Sequence, residues 1–210
     1  MPTVVLTGFG VFANVTRNPT EDIVNSLLDW HPDDFTLRTE VLVCSVDSVE
    51  AFFSNLGEGG AHENPRDDII LVHLGVDQGS NAIKLESTAY NNMTFRVPDQ
   101  NSYQPQESSI VSECVFDAPL TSLLDTKKLC KQLEAEEWTV ETSEDPGRFL
   151  CNYVYYRSLC FGSKRLSMES TGQCQSLFIH VPAVEVVSLK NQVIFVKRAI
   201  EEIVHSCKQI

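Results

Sequence analysis

This sequence predicts an α/β fold: one domain built as a three-layer sandwich, with a mixed, mostly parallel sheet covered by helices on both faces. Three observations lead there. Strand and helix signals alternate from end to end. Two continuous apolar runs, residues 68–76 and 176–181, have the character of strands buried on both faces. The chain, at 210 residues, is long enough to bury a large core without disulfide or metal staples. No internal repeat or linker breaks the pattern, so residues 1–210 read as one domain.

In chain order, residues 3–7 are an apolar β-type run ending at Gly8. Asn18-Pro19-Thr20-Glu21 follows, an N-cap with proline at the first helical position, and Ile23, Val24, Leu27 and Leu28 carry a helical stripe to about Trp30. Residues 35–44 alternate as a strand and 46–56 read as a short helix. After the buried run 68–76, residues 82–90 alternate again, and 91–119, polar and proline-punctuated, form a long ordered loop. A helix at 126–137, a short strand at 139–142 and an aromatic helix at 148–161 come next. Residues 163–175 read as a surface insertion. The strand 176–181 and a long amphipathic helix, 187–207, complete the series.

With 16 Lys+Arg against 29 Asp+Glu the formal charge is −13, and no basic stripe offsets it. That excludes a nucleic-acid partner, which needs clustered cations to displace counterions, and disfavours an anionic membrane surface. No stretch approaches the ~18 apolar residues of a membrane span, and the apolar start breaks at Thr7-Gly8, too early for a signal peptide. The seven cysteines are odd in number and lack C-x-x-C spacing, the pattern of free thiols in a reducing cytoplasm rather than a disulfide or zinc framework. The sequons at Asn14 and Asn92 are then chance matches.

Four clusters could carry chemistry. Gly8-Phe9-Gly10-Val11-Phe12-Ala13 formally fits the dinucleotide fingerprint, but its helix signal starts only at Asn18, and phenylalanines occupy positions where a phosphate needs close backbone approach. Phe9 and Phe12 instead either anchor the loop into the core or form faces for a flat apolar ligand. Cys151, after Pro146-Gly147, falls at the start of the aromatic helix, where the positive dipole end favours a thiolate and free N–H groups can hold an oxyanion; the alternative is a small buried hydrophobe. His180 ends a buried strand before Pro182, on the rim where open α/β sheets bind ligands, although a lone His is commonly structural. His73 has apolar neighbours on both sides and reads as core. Glu86 is either a solvated strand acid or the orienting carboxylate of a nucleophile–base–orienter set with Cys151 and His180.

Taken together, Thr7-Gly8-Phe9-Gly10-Val11-Phe12 with Asn18-Pro19, His73-Leu74-Gly75-Val76, Leu85-Glu86, Asn91, Arg96-Val97-Pro98-Asp99 with Gln104-Pro105, Gly147 to Tyr153 and Phe178 to Pro182 resemble the pyroglutamyl-peptidase I family, cytosolic cysteine peptidases that remove N-terminal pyroglutamate. The resemblance covers nearly the whole chain. It implies Cys151 as nucleophile, His180 as base, Glu86 as its orienting acid and Arg96 near the oxyanion. It also implies Phe9 and Phe12 as an aromatic clamp for the lactam ring, with Asn18, Val76 and Leu150 lining the pocket. Small pyroglutamyl peptides are the implied partners, with no metal or cofactor, and either a monomer or a homo-oligomer. Val76 stands where many bacterial members carry Gln, and Gly10-Val11 replaces a proline-containing pair. A second function class, a catalytically silent paralogue that binds such peptides, is disfavoured by the retained Cys, His and Glu.

Overall fold

The structure, a computed structural model, describes residues 1–12, 17–57, 67–167 and 172–207. Within these, eight strands and five helices follow in the order β1 (Thr3–Phe9), α1 (Pro19–Ser26), β2 (Thr36–Leu42), α2 (Val46–Gly57), β3 (Ile69–Val76), β4 (Ile83–Glu86), β5 (Thr88–Tyr90), β6 (Pro119–Thr121), α3 (Thr126–Glu134), β7 (Val140–Ser143), α4 (Leu150–Leu166), β8 (Cys174–Val181) and α5 (Leu189–Cys207). A six-stranded sheet of order β2-β1-β3-β8-β4-β7 forms the middle layer. All of its pairings are parallel except β4 with β8.

Alternation along the central strands assigns the two faces. Val4, Leu6, Ile70, Val72, Leu74, Leu177 and Ile179 pack against α1, α3 and α5. The residues between them, Val5, Phe9, Ile69, Leu71 and Phe178, pack against α2 and α4. On α1, the Ile23, Val24 and Leu27 stripe is fully buried, contributing ~1.5–3 kcal/mol per side chain. Asn18 caps this helix by accepting the Thr20 N–H at 3.1 Å.

Several elements depart from the sequence expectation. Helix α1 stops at Ser26 rather than near Trp30: Leu27 and Trp30 turn back with i→i+3 bonds to Val24 and Leu27 at 3.1 Å. Helix α3 ends at Glu134, and Glu137 enters the left-handed region (φ 67) to reverse the chain into β7. The strand expected over 82–90 is two. Ser87 bonds to Ser143 O at 2.7 Å, and the chain then leaves the main sheet, so that β5 pairs with β6 in a separate two-stranded ribbon. Strand β6 lies at the end of the segment read as loop. Of the surface insertion expected over 163–175, α4 claims the start and β8 the end, while 168–171 lie outside the described residues, as do Asn14 and His62.

Candidate active site

Helix α4 presents its first turn to the face of the sheet that carries Phe9, Gly75, His180 and Glu86. Its N-cap residue, Phe149, supplies no side-chain cap bond, and the helical ladder begins with Tyr153 N–H donating to Phe149 O at 3.0 Å. No cap side chain therefore takes the N–H groups of Leu150, Cys151 and Asn152, the dipole end suited to negative charge. Cys151 is half-buried there. Gly75, paired with His180 in the β3–β8 ladder, makes room for it: a Cβ at Gly75 would lie 2.9 Å from the Cys151 sulfur and 2.6 Å from Cζ of Phe178. Only glycine fits beneath this thiol.

His180 and Glu86 meet across the antiparallel β4–β8 pair, Nδ1 to Oε1 at 2.8 Å, with Glu86 fully buried. Lys84 stands directly opposite His180 and Glu86 opposite Phe178, so the carboxylate reaches the imidazole diagonally along one face. Glu86 ends its strand, but β4 runs against β8, so that end points away from the rim and Glu86 sits two residues inward. Its burial is what that direction produces. The Tyr155 hydroxyl, from the second turn of α4, donates to the Glu86 carbonyl at 2.7 Å and fixes the strand against the helix.

Burial by itself would make the imidazole give up its proton more easily. The charge and hydrogen bond of Cys151, together with those of Glu86, outweigh this and raise the His180 pKa from 6.5 to about 10. The Phe178 ring lies 4.7 Å from the imidazole and shields it. His73 contrasts with it: wholly buried, bonded to Thr7 Oγ1 at 2.7 Å and Ser158 Oγ at 2.9 Å, its pKa falls to about 3 through desolvation. It is a neutral core histidine, as its apolar neighbours predict.

Beside Cys151 lies a small, mostly apolar cleft lined by Phe9, Phe12, Asn18, Cys44, Gly75, Val76, Phe149, Leu150 and Cys151. Five of the residues singled out in the sequence, Phe9, Phe12, Asn18, Val76 and Leu150, thus converge on the nucleophile candidate. Asn18 is there with its amide already committed, to Gly10 O at 3.0 Å and to Thr20, so it holds the β1–α1 loop in shape. That loop starts no helix at its glycines, and the cap of α1 is filled by Asn18, which leaves the dinucleotide reading without an anion site. Arg96 is not among the lining residues. It is exposed, one residue from Phe95, whose ring packs 4.6 Å from Phe149. The uncapped backbone N–H groups at the start of α4 are available to hold negative charge in this arrangement.

Sequence reasoning missed Gly75, Cys44 and Phe149. Cys44 lies two residues past the end of β2 and off the 37–43 alternation, so the pattern gave no signal of its burial, which pushes its thiol up to about 12 with Cys151, Asp99 and Glu21 adding. The thiols of Cys130, Cys160 and Cys207 are likewise raised, chiefly by burial. Among the described residues no group of three or more His, Cys, Asp or Glu is placed to hold a metal. Nor is any helix there long and apolar enough to cross a membrane.

The sequence matches the pyroglutamyl peptidase family model over residues 2–208. The chain belongs to the pyroglutamyl peptidase family. Among its relatives, the pyrrolidone-carboxylate peptidase of Oceanobacillus iheyensis is 30% identical, with 99% of this chain and 98% of that protein aligned. That of Pyrococcus furiosus is 31% identical over 85% of this chain and 80% of its own length. A solved structure of a point mutant of the P. furiosus pyrrolidone carboxyl peptidase superposes with a TM-score of 0.81 at 26% identity, covering 99% of this chain and all of that one. The pyrrolidone carboxyl peptidase of Fervidobacterium islandicum, at 24% identity, shares the fold with a TM-score of 0.83 over 97% of this chain and 98% of its own. As a family member the chain is a cysteine peptidase.

Proposed function

We propose that this pyroglutamyl peptidase family member hydrolyses the peptide bond after an N-terminal pyroglutamyl residue, using Cys151, His180 and Glu86. The observation that carries the reading is the apolar cleft of Phe9, Phe12 and Phe149 opening onto a thiol at a helix N-terminus, against an imidazole held by a buried carboxylate. A lactam ring has no free α-amino group, so a neutral aromatic slot suits it and an acidic anchor does not.

In the first step His180 takes the Cys151 proton, giving a thiolate–imidazolium pair that Glu86 and the α4 dipole stabilise. The thiolate attacks the carbonyl carbon of the scissile bond, outside the ring. The developing oxyanion is received by the backbone N–H of Cys151 and its neighbours. His180 then passes its proton to the leaving amine as the C–N bond breaks, leaving a thioester. Water, deprotonated by the same imidazole, hydrolyses the thioester and regenerates the thiol. By family resemblance, Arg96 adds a cation near the oxyanion.

The test is a panel of aminomethylcoumarin amides. Pyroglutamyl-coumarin should be cleaved, while prolyl- and glutamyl-coumarin, which carry a charged α-amino group, should be turned over at least ~100-fold more slowly. Equal cleavage of the prolyl substrate would overturn the reading.

A further inference from the structure

A second carboxylate stands on the other side of His180. Asp77 follows the last residue of β3, and its backbone N–H donates to Val181 O at 2.9 Å, extending the β3–β8 ladder past the imidazole. Its side chain is gripped twice: Oδ1 accepts the Gly79 N–H at 3.0 Å and Oδ2 lies 2.9 Å from the Lys84 ammonium. Lys84 is itself the register partner of His180 across β4–β8, on the same face as Glu86. The imidazole is thus bracketed, with buried Glu86 on its inner side and the Asp77–Lys84 pair on its outer side. Both members of that pair are about one-third exposed or less.

We propose that Asp77, pinned by Lys84, is a positioning residue for His180, a second carboxylate that keeps the imidazole charged and in place next to Cys151. Cys151 from α4 and Glu86 from β4 act directly on this imidazole; Asp77, from the turn after β3, feels the charge of His180, and Lys84, the register partner of His180, is itself drawn by Asp77, Glu86 and its β7 partner Glu141. Against the upward push of partial burial, the bonds from Lys84 and Gly79 and the charges of Lys84 and His180 hold the Asp77 carboxyl below its usual range. It therefore stays ionised wherever the thiolate–imidazolium pair forms. Lys84 orients Asp77 but, being a cation near a cation, opposes the charge on His180. The two neighbours act on the imidazole with opposite sign, which separates an electrostatic role from a merely structural one.

The inference rests on the reading of Cys151 and His180 as a reacting pair, so its test uses one readout that needs no substrate. The His180 ring is titrated by ¹⁵N NMR in wild type, Asp77→Asn, Asp77→Glu and Lys84→Met, with the resonance assigned from His180→Gln. In Asp77→Asn the midpoint should fall by roughly half a pH unit or more, below the ~1–3 units of a directly contacting charge. Asp77→Glu should restore it, and Lys84→Met should move it the other way. The alkaline limb of kcat/KM for pyroglutamyl-coumarin should follow the same order, with KM little changed. Midpoints that coincide in wild type, Asp77→Asn and Lys84→Met, or that move in the same direction in both variants, overturn the proposal. Midpoints that shift as stated in a protein that never cleaves the substrate support the positioning role and refute the proposed function instead.

Discussion

Glu86 Oε1 lies 2.8 Å from His180 Nδ1, across a strand pair that runs antiparallel within an otherwise parallel sheet. Because β4 is reversed, the carboxylate approaches from the protein interior and loses its water, while the imidazole keeps its other nitrogen for Cys151. Glu86→Gln preserves the shape and removes the charge. It should cost roughly 10²–10⁴ in kcat/KM near neutral pH, the range of a positioned acid–base group, with KM little changed. A loss under tenfold, measured on pyroglutamyl-coumarin, would show that the carboxylate does not govern His180.

The two buried histidines set opposite arms of the stability profile. His180 keeps its proton in the fold above the 6.5 of the unfolded chain; the share owed to Cys151 moves a proton within the pair and adds none, while the share owed to Glu86 is complete below 6.5 and is lost as pH rises through the raised value. His73 is neutral in the fold down to about pH 3 and takes up a proton on unfolding below 6.5, so its contribution is lost as pH falls from 6.5 toward 3. Urea unfolding across this span should show stability falling on both sides of pH 6.5. His180→Gln should flatten the alkaline arm alone; an unchanged alkaline slope in that variant would contradict the assignment.

Gly75→Ala tests the close approach under the Cys151 thiol. The added methyl would sit 2.9 Å from the Cys151 sulfur and 2.6 Å from the ring of the fully buried Phe178, so the thiol, the ring or both must shift. Overpacking of this kind costs ~1–3 kcal/mol, and activity should fall at least ~10-fold because near-attack geometry tolerates little displacement. Thermal unfolding and the coumarin assay read the two effects separately; a fully active variant would show that the sulfur has more freedom than its packing implies.

A fully buried amide, that of Asn91, ties the two ends of the 91–119 segment together. Asn91 Nδ2 donates to the carbonyls of Val111, Cys114 and Val115 at 3.0–3.1 Å, and its Oδ1 accepts the Val111 N–H at 2.8 Å. Asn91→Ala removes these bonds; Cys114 and Val115 are exposed and open to water, so the two Val111 groups carry most of the cost, ~2–6 kcal/mol at ~1–3 kcal/mol for each group left unsatisfied. Proteolytic nicking should then begin within 91–119. Denaturant midpoints equal to wild type would show that water replaces the amide without loss.

Alternation and apolar runs made the sheet and its helices legible in the sequence, and the cap at Asn18 and the break at Pro146-Gly147 located the loops that build the cleft. The places where reading by pattern fell short share a cause: the decisive partner is distant in sequence. The end of β4 at Ser87 is set by Ser143, and the ribbon pairing of β5 by a segment some thirty residues on. The inward aim of Glu86 follows from a strand direction that alternation does not encode. Gly75 and Cys44 became site residues only once β2, β1 and β3 were laid side by side.

Two thiols share the cleft, and their chemistry differs. Burial holds Cys44 protonated, with its pKa pushed up to about 12, and its sulfur lies 3.4 Å from the Gly10 carbonyl. Iodoacetamide at pH 7 should therefore label Cys151 first, in step with loss of activity, followed by peptide mass spectrometry. Modification of Cys44 in parallel with inactivation would move the nucleophile to the wrong thiol.

The most direct test of the central claim is the turnover of pyroglutamyl-aminomethylcoumarin by wild type and Cys151→Ala, with circular dichroism confirming that both are folded. Wild type should release coumarin and Cys151→Ala should be indistinguishable from buffer. A folded Cys151→Ala protein with activity near wild type would contradict it.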